Sequence, residues 1–168
     1  MSRARTRHRR HDAERREALV RLLEGRSHAP YRATLLAFPP TLRGRKPRGA
    51  PHTPWELLEH LRIAQRDILD FSRDPEQPSL PWPEGYWPAQ PTPPDARAWT
   101  RSANAFLRDL AELMAVARDV HDLDAPIPGT RTTWAGQIAL AASHNSYHLG
   151  QLLLTQRSLE GLRPRRKA

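Results

Sequence analysis

The chain has 168 residues, of which 27% are charged and none is cysteine, with a formal net charge of +9. That length suits one ordinary domain, and the lack of cysteine excludes disulfides, thiolate metal sites and cysteine nucleophiles, so any metal must be held by His, Asp or Glu. No apolar run approaches the roughly 18 residues of a membrane span, and no apolar core stands behind the charged N-terminus, so neither a span nor a signal peptide is expected and a cytoplasmic protein is the simplest reading.

The charge is unevenly placed. Five arginines in residues 1–11 and four basic residues in 163–168, with no acid among them, account for the whole excess and leave residues 12–162 neutral. The expected organisation is therefore a basic N-terminal tail (1–11), a single folded body (12–162) and a basic C-terminal tail (163–168), both tails disordered and solubilising. A neutral body gives no indication of a specific nucleic-acid site.

In chain order, Ala18, Leu19, Leu22 and Leu23 recur at helical spacing between Ala13 and the stop at Gly25, which predicts a first amphipathic helix. A shorter apolar stretch from Tyr31 to Phe38, bounded by Pro30 and Pro39-Pro40, suits about two helical turns. Arg43 to Gly49 reads as a solvated loop. Thr53-Pro54-Trp55-Glu56 is a helix start: Thr53 caps, Pro54 suits the first position and Glu56 completes a capping box. The helix it opens spans about 54–73, with Leu57, Leu61, Ala64, Ile68 and Phe71 in one stripe and His60 beside it.

Residues 74–94 hold eight prolines, which forbid helix and central strand. Trp82, Tyr86 and Trp87 seek burial, so the segment reads as an ordered strap across the body. Asp95 to Asp119 carries Trp99, Ala103, Phe106, Leu110 and Leu113 at intervals of three and four and predicts another long helix. After a Pro-containing connection, Thr132 or Thr133 caps a last helix from about Trp134 to Leu159, where Trp134, Ile138, Ala141, His144, His148, Leu152 and Thr155 share one face. Long helices with no strand pattern predict an all-α helical bundle.

Of the eight histidines, His8 and His11 fall in the tail and His28, His52 and His121 in or near loops, where a solvated side chain is expected. His144 and His148, four residues apart, project from the same helical face. Two buried imidazoles waste their polar nitrogens unless something satisfies them, and His60 on a partner helix adds a third. Three neutral imidazoles can hold a divalent ion and leave a position for water or substrate. Asn145 stands where a His-Glu-x-x-His hydrolase needs its general base, so metalloprotease chemistry is not expected. Gln151, one turn beyond His148, either orients a ligand or is a surface amide.

The segments Thr53-Pro54-Trp55-Glu56-Leu57-Leu58-Glu59-His60-Leu61, Trp82-Pro83-Glu84-Gly85-Tyr86-Trp87-Pro88 and His144-Asn145-Ser146-Tyr147-His148-Leu149-Gly150-Gln151-Leu152 resemble the DinB/YfiT-like superfamily of metal-dependent proteins over about residues 13–162. The resemblance implies an up-down-down-up four-helix bundle, often homodimeric, with a divalent metal (zinc, nickel, iron or manganese) on three histidines that map onto His60, His144 and His148. It implies a small-molecule substrate and, among the family's chemistries, S-transfer with a low-molecular-weight thiol of the bacillithiol kind, in which the metal stabilises the thiolate. The alternatives are metal-hydroxide hydrolysis, and a non-catalytic stress-response or scaffold bundle whose metal site is structural or vestigial. Two departures stand out: Ser143 replaces a frequent Asp before the first paired ligand, and Gly129 to Thr133 lacks the usual glycine- and histidine-containing run.

Overall fold

A computed structural model describes residues 3–78 and 80–161. They form five helices: α1 (Arg3–Glu24), α2 (Tyr31–Leu36), α3 (Pro54–Arg73), α4 (Ala98–Asp119) and α5 (Trp134–Gly161). Among the described residues the only strand-like pairing is an isolated bridge between Pro126 and Thr133. The C-terminal basic stretch, residues 163–168, lies outside the described residues.

The N-terminal expectation needs correcting. Helix α1 begins at Arg3, not Ala13, and takes in most of the basic stretch expected to be unstructured. No glycine or proline interrupts the chain before Gly25, arginine is a good helix former, and opposite charges recur at helical spacing: Arg10 pairs with Glu14 at 3.0 Å, Asp12 with Arg16 at 2.8 Å and Glu17 with Arg21 at 2.9 Å. Arg16 also donates to the carbonyls of Ala117 and Arg118, satisfying acceptors that the last turn of α4 leaves open. Gly25, at φ +68°, ends the helix in the left-handed conformation, where a Cβ would meet the His28 ring.

Helix α3 starts as its sequence predicts. Thr53 Oγ1 accepts from the Glu56 amide at 3.2 Å, and the Glu56 carboxylate accepts from the Thr53 amide at 2.7 Å. The Thr53 hydroxyl in turn donates to the Pro91 carbonyl at 2.7 Å, tying the strap to the start of the helix. Helix α4 begins at Ala98, three residues after the expected Asp95, which instead receives the Arg97 amide on its side chain. Thr133 is the residue that caps α5, accepting from the Gly136 amide at 3.1 Å.

Helix α3 packs against α4 and α5, α1 packs against the same two, and α2 lies on α4. Trp99, Phe106, Leu58, Leu61, Leu69 and Leu113 are among the fully buried side chains that fill the interior. The Trp99 indole donates to the Leu35 carbonyl at 2.7 Å and lies 4.8 Å from Phe38, holding α2 down. Arg43 also departs from the solvated-loop reading, since it sits over the Trp99 ring and donates to the Phe38 carbonyl.

A buried polar line crosses this interior. Asn145 donates its amide to Gln65 Oε1 at 2.6 Å, and Gln65 donates to the Phe106 carbonyl at 2.7 Å, joining α5, α3 and α4. Gln137 reaches the Ile68 carbonyl at 3.3 Å. Along α3, residues 60, 65 and 68 thus meet residues 148, 145 and 137 of α5, in opposite numerical order. Residues 65, 66 and 73 meet residues 106, 109 and 112 of α4, in the same order.

The proline-rich strap packs only in part as its aromatic residues suggest. Tyr86 donates its hydroxyl to Asp67 at 2.8 Å and Trp87 is half-buried, but Trp82 is 76% exposed, its ring edge-on to Tyr86 at 5.4 Å. The expected burial of every large ring therefore fails at Trp82, whose ring is left largely in solvent.

Candidate metal centre

The antiparallel register of α3 and α5 sets His60 opposite the His144–His148 pair. His60 Nε2 lies 3.1 Å from His148 Nε2 and 3.1 Å from His144 Nε2, and one nitrogen of each ring falls within 4.8 Å of the others. His60 and His148 are buried and His144 partly so. The cluster contains no carboxylate among the described residues.

The outer nitrogens decide which way the lone pairs point. His60 Nδ1 is 2.9 Å from the Tyr86 carbonyl, and a carbonyl only accepts, so the proton sits on Nδ1 and Nε2 offers its lone pair to the cluster. His148 Nδ1 is 2.7 Å from Gln151 Oε1, which imposes the same tautomer. His144 Nδ1 is buried without a hydrogen bond, and neighbouring Ser143 is exposed. Lone pairs packed nitrogen to nitrogen repel unless a cation lies between them. Two nitrogens each about 2.0–2.1 Å from one divalent ion stand roughly 3 Å apart. The donor set therefore fits such an ion.

Electrostatics agree with the geometry. Burial, reinforced by the neighbouring imidazoles, pushes His144 and His148 down to about 4. Burial also lowers His60, against the opposing pull of the Tyr86 carbonyl. All three rings are neutral at pH 7, the form that binds metal.

Aromatic stacking fixes His60 from the side. Trp87 lies parallel to it at 4.1 Å with an interplanar angle of 7°, and His52 stacks on the other face of the indole at 3.9 Å and 13°. His52 is thus no solvated loop residue. Nor is His28, whose Nδ1 faces the Ala29 carbonyl at 2.9 Å and whose Nε2 faces Ser146 Oγ at 3.1 Å; both rings are held because their loops fold back onto the bundle. His11 and His121 are exposed as expected, and the side chain of His8 lies outside the described residues.

Asn145, at the position where a hydrolase would carry its base, donates its side-chain amide to Gln65 in the core and, as an amide, supplies no base beside His144. A cavity of about 530 Å³ is walled by Pro47, Arg48, His52, Leu57, Gln151 and Leu154, and reaches the cluster only through Gln151, since none of the three histidines lines it. Gln151 belongs to both places, since it holds His148 and faces the cavity. Trp87 carried a burial signal in the sequence; the Tyr86 carbonyl and His52 carried none, because a backbone acceptor and a loop imidazole show no periodicity.

Long packed helices with three histidines converging from two of them define the class: a helical bundle with a candidate three-histidine metal centre. The chain belongs to the DinB superfamily, whose family model matches residues 13–152. No curated protein and no solved structure matches it.

Proposed function

We propose that this protein is a divalent-metal-dependent transferase that joins a low-molecular-weight thiol to a small electrophile. In this reading residues 12–162 form an up-down-down-up four-helix bundle, supported by the opposed numbering of α3 and α5 contacts and the shared direction of α3 and α4. The observation that carries the proposal is the convergence of three histidine Nε2 atoms with no carboxylate in the cluster among the described residues.

Bound to His60, His144 and His148, the metal would supply a positive charge that lowers the pKa of a coordinated sulfur or oxygen. The protein contributes orientation. Tyr86 and Gln151 keep the Nδ1 protons off the cluster, and the Trp87 stack prevents His60 from turning. The chain has no cysteine to serve as nucleophile, so a thiol must be brought in as substrate. A free thiol ionises near pH 8.5, far below bulk water at about 15.7, and so asks much less of a site without a base. This favours thiol transfer over metal-hydroxide hydrolysis. The cavity beside Gln151, with Leu57 and Leu154 on its walls, is the place for the electrophile.

The test is elemental analysis of protein purified without chelator, beside His148→Ala, followed by a conjugation screen with several low-molecular-weight thiols and a chloronitroarene. About one divalent ion per chain, lost in the variant, together with thiol- and metal-dependent turnover, is expected. Failure to retain zinc, nickel, iron or manganese overturns the metal site; metal retention without turnover for any thiol overturns the transferase assignment.

A further inference from the structure

The loop on one side of the cavity is a built turn. The Ala50 amide donates to the Pro47 carbonyl at 3.1 Å, and Gly49 stands at φ +80°, the left-handed value that the third residue of a type II turn requires. Buried Pro47 anchors the turn at its start, and His52, stacked on Trp87 at 3.9 Å, anchors the chain just beyond it. Arg48 occupies the second position of this turn and forms part of the cavity wall.

The polar groups on the wall are donors in want of acceptors. Arg48 makes no ion pair or hydrogen bond among the described residues. Thr155 is only 7% exposed, lines the cavity, and makes no hydrogen bond among the described residues either. Gln151 commits its Oε1 to His148, so the group it has left for a ligand is its amide N–H. No Asp or Glu lines the cavity. A wall with one fixed positive charge, no carboxylate and spare donors selects a ligand that brings negative charge and acceptor oxygens.

Charge and size narrow the ligand further. A volume of about 530 Å³ lies in the range of small-molecule pockets, roughly 300–1,000 Å³. One guanidinium matches one carboxylate in charge and, through two parallel N–H donors, in shape. An organic phosphate carries about −1.5 to −2 charges near neutral pH and would be left undercompensated by a single arginine. Leu57, Leu154 and Pro47 supply apolar wall for the rest of the molecule.

We propose that the cavity takes a small monocarboxylate with an apolar body. Arg48 holds the carboxylate, Thr155 donates a further hydrogen bond to the ligand, the body lies on Leu57 and Leu154, and Gln151 donates to it on the side of His148. Because Gln151 also holds His148, a molecule seated here borders the candidate metal centre. This names the class of the electrophile in the transfer proposed above and rests on that reading for what becomes of the bound molecule; the binding itself needs no metal.

Isothermal titration calorimetry on the full chain in chelator tests this, with circular dichroism to confirm folding. The probes are a chloronitrobenzoate, the corresponding chloronitrobenzene and phenyl phosphate. The benzoate should bind at least about 10-fold more tightly than the neutral arene, and Arg48→Gln should weaken it by about 10- to 100-fold while leaving the arene unchanged. Thr155→Val, which keeps the shape of the side chain, should weaken the benzoate by about 5-fold. No measurable benzoate binding, binding no tighter than that of the arene, or binding indifferent to Arg48→Gln overturns the proposal. Tighter binding of phenyl phosphate than of the benzoate overturns the carboxylate assignment, and an unchanged Thr155→Val overturns the role of its hydroxyl. Chelator separates this result from the metal site: benzoate binding by a protein that retains no metal upholds the cavity and sinks only the transferase reading, whereas metal-dependent turnover of the neutral arene with no benzoate binding does the reverse.

Discussion

Gln151 is the residue at which the tautomer argument is most directly exposed to experiment. Its Oε1 lies 2.7 Å from His148 Nδ1 and fixes the proton on the outer nitrogen, leaving Nε2 to face His60 at 3.1 Å. Gln151→Leu keeps a side chain of similar bulk on the cavity wall but removes the acceptor. His148 then has no partner for Nδ1–H, its ring is free to turn, and the tautomer with the proton on Nε2 becomes accessible. Loss of such an outer partner typically costs 10- to 100-fold in metal affinity, or about 1.4–2.7 kcal/mol. Gln151→Glu restores an acceptor, now charged, and should bind metal at least as tightly as the wild type. Competition against a chromophoric chelator, with zinc and then nickel as the probe, measures both variants on one scale. Equal affinity in Gln151→Leu and the wild type would refute the reasoning, because His148 would then need no fixed tautomer. A loss that Gln151→Glu does not recover would attribute the effect to cavity packing and not to the hydrogen bond.

Two further outcomes follow from the interior. Metal-free protein should lose stability as pH falls from about 6.5 toward 4: His144 and His148 are held near 4 when folded, so the unfolded chain binds more protons in that window, and the contribution is complete above it; thermal melting in chelator from pH 7 to pH 4 reads this, and a flat midpoint contradicts it. Asn145→Ala should cost about 1–3 kcal/mol in urea unfolding, because it removes the donor to Gln65 Oε1 in the fully buried interior, while helicity in native buffer stays the same; a change within a few tenths of a kcal/mol would mean that the polar line from α5 to α4 contributes little.

Helical periodicity, with the capping box at Thr53, was enough to give the long helices and their inward faces, because a 3.6-residue repeat is a local property that the chain carries wherever it packs. It also set His144 and His148 on one face, since four residues are close to a single turn. The limits of α1 were not legible in the same way. Net charge suggested an unstructured tail, whereas spaced pairs such as Arg10 with Glu14 make that charge compatible with a helix.

What only the tertiary structure decided depends on register between helices. A one-turn slip of α3 along α5 would leave every amphipathic stripe intact and yet carry His60 about 5 Å from His148. The observed register is held by contacts distant in sequence, among them Gln65 with Asn145 and Gln137 with the Ile68 carbonyl. The Tyr86 carbonyl on His60 and the His52–Trp87–His60 stack arise the same way, from a proline-rich strap whose path has no periodic signal. The histidines belong to the sequence; the 3.1 Å between their nitrogens belongs to the packing.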